Sequence, residues 1–137
     1  MVSLLAAIKT ALDADGTYVA LITLTVHGMA PTGTAFDYVE FEGNSSPPEI
    51  TNTGTTTIED FPVLFRAFST TPNLAEAIID QLVIVLKAMA TAITGGVIMD
   101  VTKETQTLFE DPDRTPEGGI VWVSSTILTF RVHRGGS

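Results

Sequence analysis

The 137-residue sequence contains no cysteine, which excludes disulfides, thiol nucleophiles and thiolate metal sites. Cations are scarce as well. Seven Lys and Arg stand against 16 Asp and Glu, a formal charge of −9, which argues against a protein that grips nucleic acid by neutralising phosphates. Histidine occurs only at His27 and His133, with no third ligand near either in sequence, so both read as structural or solvent-exposed. No apolar run approaches the roughly 20 residues of a membrane-spanning helix, because Glu76, Asp80 and Lys87 interrupt the best candidate. The apolar residues 1–8 have no basic region before them and Asp13 and Asp15 follow, so a signal peptide is not expected and the chain reads as made and used in a cytoplasm. Gly-rich phosphate loops and a Gly-x-Ser-x-Gly elbow are missing too. Nothing demands an enzyme, and no cofactor or metal is expected.

What is present is a large apolar fraction, 45% of residues with 17% charged, enough for one domain with a substantial core. Residues 55–93 organise it. The strand half, 55–69, is rich in Thr, Val and Phe, and its two-residue period places Phe61, Val63, Phe65 and Ala67 on one core-facing side. Pro62, Leu64, Arg66 and Phe68 share the other side. Pro62 cannot donate to a ladder, so an edge position or a bulge is expected there, and such an edge can be a docking surface. Asn73 followed by Glu76 has the spacing of a capping box. The helix that follows carries Leu74, Ile78, Leu82, Val85, Leu86, Met89 and Ile93 on one wide face. On its opposite stripe, Val83 and Ile84 interrupt Glu76, Asp80, Lys87 and Thr91. They are either isolated surface hydrophobes, which are common, or a subunit contact.

Before this unit, Ser3 can cap a short amphipathic helix built on Leu4, Leu5, Ile8, Ala11 and Leu12, with Gly16 as a left-handed terminator. Residues 18–26 begin as a helical turn and continue as a strand, 28–33 form a loop, and 36–42 alternate as a strand with apolar residues on both faces. Residues 43–54 read as a long polar connection, which in a compact domain is usually functional or disordered. After the helix, Gly95 and Gly96 lead into a strand over 97–109 with Val97, Met99 and Val101 on one face. The acidic turn 110–119 and a last strand over 120–132 complete a wide-loop hairpin. That last strand has apolar residues on both faces and should be central or covered on both sides. Asp111, Asp113, Glu110 and Glu117 offer oxygen ligands to a hard cation but lack the alternation of a calcium loop, so the stretch reads as a solvated turn. The whole predicts an α+β domain, a mainly antiparallel sheet of four to five strands packed against two helices.

Several stretches in this order resemble the tail-terminator, or tail-completion, family of tailed phages. They are Asp37-Tyr38-Val39-Glu40-Phe41, the long polar loop, and Phe61 to Phe68 running through Thr71-Pro72-Asn73 into Ala75-Glu76-Ala77-Ile78. The distal pair adds the start at Gly95, Phe109-Glu110-Asp111-Pro112-Asp113 with Gly118-Gly119, and Ser125 to Arg131. The resemblance spans residues 3–132. It implies a virion protein at the head-tail junction, assembled in the host cytoplasm. Such a protein forms a homo-hexameric ring on the head-proximal end of the tail tube, stops tube growth and meets the head connector or stopper protein, while DNA passes through the lumen without specific binding. The family has no catalytic set to transfer. On this reading Val83, Ile84, Leu64 and Phe68 are candidates for the subunit interface. Asn44, Ser45, Pro47, Glu49 and Asn52 in one loop, and Asp111, Asp113, Arg114 and Glu117 in the other, are candidates for contact with neighbouring rings. A head-completion, stopper or other neck protein fits nearly as well. A small acidic metal- or ligand-binding domain is the alternative of another class.

Overall fold

The computed structural model describes residues 4–31, 34–43, 50–53, 56–89, 92–93, 96–111 and 120–135. Among these residues three helices, α1 (Leu4–Asp13), α2 (Gly16–Val19) and α3 (Pro72–Lys87), accompany seven strands. These are β1 (Leu24–His27), β2 (Tyr38–Gly43), β3 (Ile50–Thr53), β4 (Thr56–Ser69), β5 (Ala92–Ile93), β6 (Gly96–Asp111) and β7 (Val121–Gly135). They form one sheet in the order β1-β2-β4-β7-β6-β5, with β3 also on β4. Every pairing is antiparallel except β1 with β2. The α+β class and the dominance of antiparallel pairing are as expected. The strand number is higher because β3 lies within the supposed polar connection 43–54, and β5 where the helix was expected to continue.

The spine is the β4–β7 pair, in unbroken register from Thr56↔Gly135 to Ser69↔Trp122. Alternation along β4 works as the sequence indicates: Val63, Phe65 and Ala67 are buried in the main core and Phe61 packs against it. β7 lies between β4 and β6, and both of its faces are apolar because each is covered. Leu128, Phe130 and Val132 join the main core, and Val121 and Val123 a second cluster. The main core fills the side of the sheet that carries the helices, where Ala7, Ile8 and Leu12 of α1 and Ile78, Ile79, Leu82 and Leu86 of α3 meet Val39, Phe41, Ile98 and Val101. Burial of this kind contributes roughly 25 cal/mol per Å² of apolar surface, and the helices are held mainly by it.

Local details depart from expectation where a competing rule wins. α3 begins at Pro72 with Thr71 as N-cap and no side-chain capping bond; proline at the first helical position supplies the fixed φ, so Asn73 falls inside the helix instead of capping it. The helix ends at Lys87, short of Ile93, which pairs with Gly96 in the β5–β6 hairpin. Gly16 opens α2, whose N-cap Asp15 accepts from Tyr18 N at 3.0 Å. The positive-φ glycine of the described residues is Gly28, at 93°. Along β6 the register shifts between Ile98 and Asp100 and again between Lys103 and Gln106. The first bulge breaks the alternation, so Ile98 and Val101 enter the core while Val97 and Met99 stay exposed. Pro62 sits in a central strand, not at an edge. On its β2/β3 flank, however, β3 pairing ends at Glu59 and β2 pairing resumes at Val63, so the missing N–H falls at a local gap. Ser3 lies outside the described residues.

Candidate functional site

The face of the sheet away from the helices is where polar and apolar groups are most deliberately placed. At one end Tyr38 stacks on Phe68 at 4.9 Å and on Phe36 at 5.2 Å, with Val121 and Val123 completing a buried cluster. Cross-strand registers extend the row Leu24, Tyr38, Phe68, Val123 to Phe109 on β6, a residue 46% exposed. Next to this cluster, Glu40 is fully buried. Its Oε1 lies 3.6 Å from Arg66 Nη2, and its Oε2 accepts from Ala30 N at 2.7 Å. Arg66 also reaches Glu42 at 3.4 Å. One guanidinium thus spans two carboxylates, and the buried one anchors the chain at Ala30 over the second cluster.

Farther along the same face, Arg131 donates to both Asp60 oxygens, at 2.9 and 3.1 Å. That bidentate bond holds the Asp60 carboxyl below its ordinary range and raises Arg131. Thr129 donates to Glu104 at 2.8 Å. On the helical side the Tyr18 hydroxyl meets Thr25 Oγ1 at 2.7 Å within the core, and burial pushes its phenol well above the usual value. Asp15 also accepts from Gln81 Nε2 at 3.0 Å, tying α2 to α3.

The four proposed interface residues do not form one patch. Ile84 is 63% exposed on the outer stripe of α3, as expected. Val83 is half-buried and packs against the main core, so it is not a free surface residue. Leu64 is half-buried on the opposite layer, beside Glu42 and Ile127 in the sheet. Phe68, at 2% exposure, fills the chain's own second cluster and offers no contact surface; the period placed it on the right face, but the covering segment around Ala30 and Phe36 carries no periodic signal. Of the loop residues, Asn44, Ser45, Pro47, Glu49, Asp113, Arg114 and Glu117 lie outside the described residues. Asn52 belongs to β3, opposite Thr57, and Asp111 ends β6 opposite Val121.

The histidines are separated by the sheet. His27 aligns through Phe41 and Phe65 with Thr126 of β7, three strands across and seven residues short of His133, which is about 14 Å by about 24 Å at standard spacings. No group of three or more His, Asp or Glu able to hold a metal occurs among the described residues, and no described helix is long and apolar enough to cross a membrane. Exposed apolar residues that the sequence reading missed lie on β6, at Val97, Met99, Leu108 and Phe109, and at Ile120 just before β7. Their signal was the strand's position at the sheet edge, which alternation alone does not reveal.

The sequence matches no protein-family model and no curated protein. A solved structure shares its fold. A chain in the virion of a native gene transfer agent particle superposes with a TM-score of 0.74 at 14% identity, covering 96% of this chain and 95% of that one. At that identity the likeness establishes the fold alone, over nearly the whole of both chains.

Proposed function

We propose that this chain is a structural component of a phage-like virion and, within it, the tail terminator. Six copies form a ring on the head-proximal end of the tail tube, stop tube polymerisation and present a surface to the head connector. The observation that carries this reading is the end-to-end fold likeness to a chain of the gene transfer agent virion, together with the family resemblance in the order of its segments. The role is non-catalytic. The surface supports it: an acidic chain of charge −9 lines a DNA-conducting lumen without holding its cargo, and Ile84 stands exposed on α3 where a neighbouring subunit can cover it. The Lys87 side chain, one turn on, makes no ion pair or hydrogen bond among the described residues, alone among the lysines and arginines whose side chains are described, so it is placed to meet an acid of the adjoining copy.

The test is native mass across a concentration series with and without tail-tube protein. A species near six chains, or one that forms only with tube protein and is lost in Ile84→Asp, is expected. A mass indifferent to tube protein, with binding to the connector instead, would move the chain to the stopper position, and indifference to both would refute the virion-junction reading.

A further inference from the structure

Beyond the short β5 contact at Gly96 and Val97, the outer flank of β6 has no strand partner among the described residues. Natural sheets blunt such edges with bulges, lysines, prolines or inward charges. The first part of β6 follows that rule, with register shifts after Ile98 and after Lys103. The last part, Gln106 to Asp111, does not. It runs unbroken against β7 from Thr126 to Val121, contains no lysine or proline, and exposes Leu108 at 37% and Phe109 at 46% on opposite faces.

This segment is complementary to itself. When two copies join antiparallel into one continuous sheet, directly opposed residues share a face, so only registers pairing residues of equal parity are allowed. Centred on Leu108, the pairing sets Leu108 against Leu108, Thr107 against Phe109 and Gln106 against Glu110. Apolar meets apolar and amide meets carboxylate, with no acid opposite an acid. The next allowed register, centred on Phe109, keeps one apolar pair, Phe109 against Phe109, but places Leu108 against Glu110 and Thr107 against Asp111, so the leucine pair and the amide–carboxylate pair are lost. From this self-complementarity we infer that the free chain forms a two-fold dimer by pairing the 106–110 edge of β6 with that of a second copy, centred on Leu108. An isologous contact joins two copies and stops, so it is a state of the unassembled protein, separate from the lateral contact of a ring. The inference does not rest on the terminator reading, because it is tested on the chain alone.

The absence of cysteine makes the test direct. In Leu108→Cys the two thiols face each other across the two-fold, at the roughly 5 Å Cβ separation of opposed residues, whereas in Phe109→Cys they are offset by two residues on each strand, beyond disulfide reach. Mild oxidation is expected to cross-link Leu108→Cys and leave Phe109→Cys as single chains. The contact is short and belongs to the weak class, so native mass of the unaltered chain is followed to about 1 mM, where even a millimolar contact fills half its sites. The weight-average mass there is expected to rise at least about 1.5-fold, the value for half-filled sites, with Leu108→Lys returning to the single-chain mass. A single-chain mass throughout, or cross-linking of Phe109→Cys as readily as Leu108→Cys, overturns the inference.

Discussion

Removing the cation beside Glu40 tests whether the buried carboxylate is a structural charge. In Arg66→Met the aliphatic stem is kept and the guanidinium lost. Glu40 has no exposed surface, and the pair is 3.6 Å apart with Arg66 30% exposed. At an effective dielectric of about 20 the gross attraction at that distance is about 4.6 kcal/mol. Two features reduce the loss: Arg66 is shared with Glu42, and the Ala30 N–H still holds the other oxygen. Breaking a buried pair by removing one partner typically costs about 3–5 kcal/mol, so about 2–3 kcal/mol is expected here. For a chain of 137 residues that corresponds to a fall in Tm of roughly 7–10 °C. Urea denaturation at neutral pH measures it. Adding Glu40→Gln to Arg66→Met removes the stranded charge while keeping an acceptor for Ala30, and should recover at least about 1 kcal/mol. The reasoning is refuted if Arg66→Met unfolds within about 0.5 kcal/mol of the parent, or if the double variant is no more stable than the single one.

Ile84→Asp should leave the monomer within about 0.5 kcal/mol of the parent in urea melts, whereas Val83→Asp, which places a charge against the core, should cost about 1–3 kcal/mol; equal effects would contradict the packing of Val83. The Asp60 carboxyl should titrate below the usual aspartate range in a carbon-detected NMR titration, and Arg131→Met should return it to that range. Because the folded-state value is the depressed one, its small contribution to stability is present above the unfolded value and fades as pH falls through the folded value. Tyr18→Phe strands the Thr25 hydroxyl in the core and should cost about 1–3 kcal/mol; combining it with Thr25→Val should cost less than the two single changes summed, a non-additivity read from a double-mutant cycle.

Much of the fold was legible because the strongest signals were long and periodic. The β4 face, the two-sided apolar character of β7 and the α3 stripe follow from spacing alone, since each spans several repeats. The failures lie where one residue redirects the chain or where an element is too short to carry a period. Pro72 preset the helix start and overrode the capping spacing of Asn73 and Glu76. A single extra residue at Met99 exchanged the faces of β6, so Val97 and Met99 went outward and Ile98 inward. β3 and β5 are too short to show alternation, and exist because a long neighbour offers them a ladder. The candidate surface was less legible than the fold. Ile84 was readable as an apolar residue on a polar stripe, but the cover over Phe68 and the open flank of β6 are properties of tertiary neighbours, which no local pattern encodes.

The place of β7 in the sheet also constrains when this protein can fold. β7 separates β4 from β6, yet it is the last of the described strands to be synthesised, and its partners on β4 lie more than fifty residues earlier in the chain. A nascent chain that has reached Asp111 therefore holds every piece of the main core except the strand that joins its two halves. Val63 and Phe65 on one side, and Ile98 and Val101 on the other, have nothing to pack between them until residues 121–135 leave the ribosome. Closing contacts of such long sequence separation is slow, and until then both inner flanks of the sheet are open to other chains. The interval between synthesis and folding, more than the finished surface, is when this protein is most exposed to mispairing, and it ends only when the final strand is inserted.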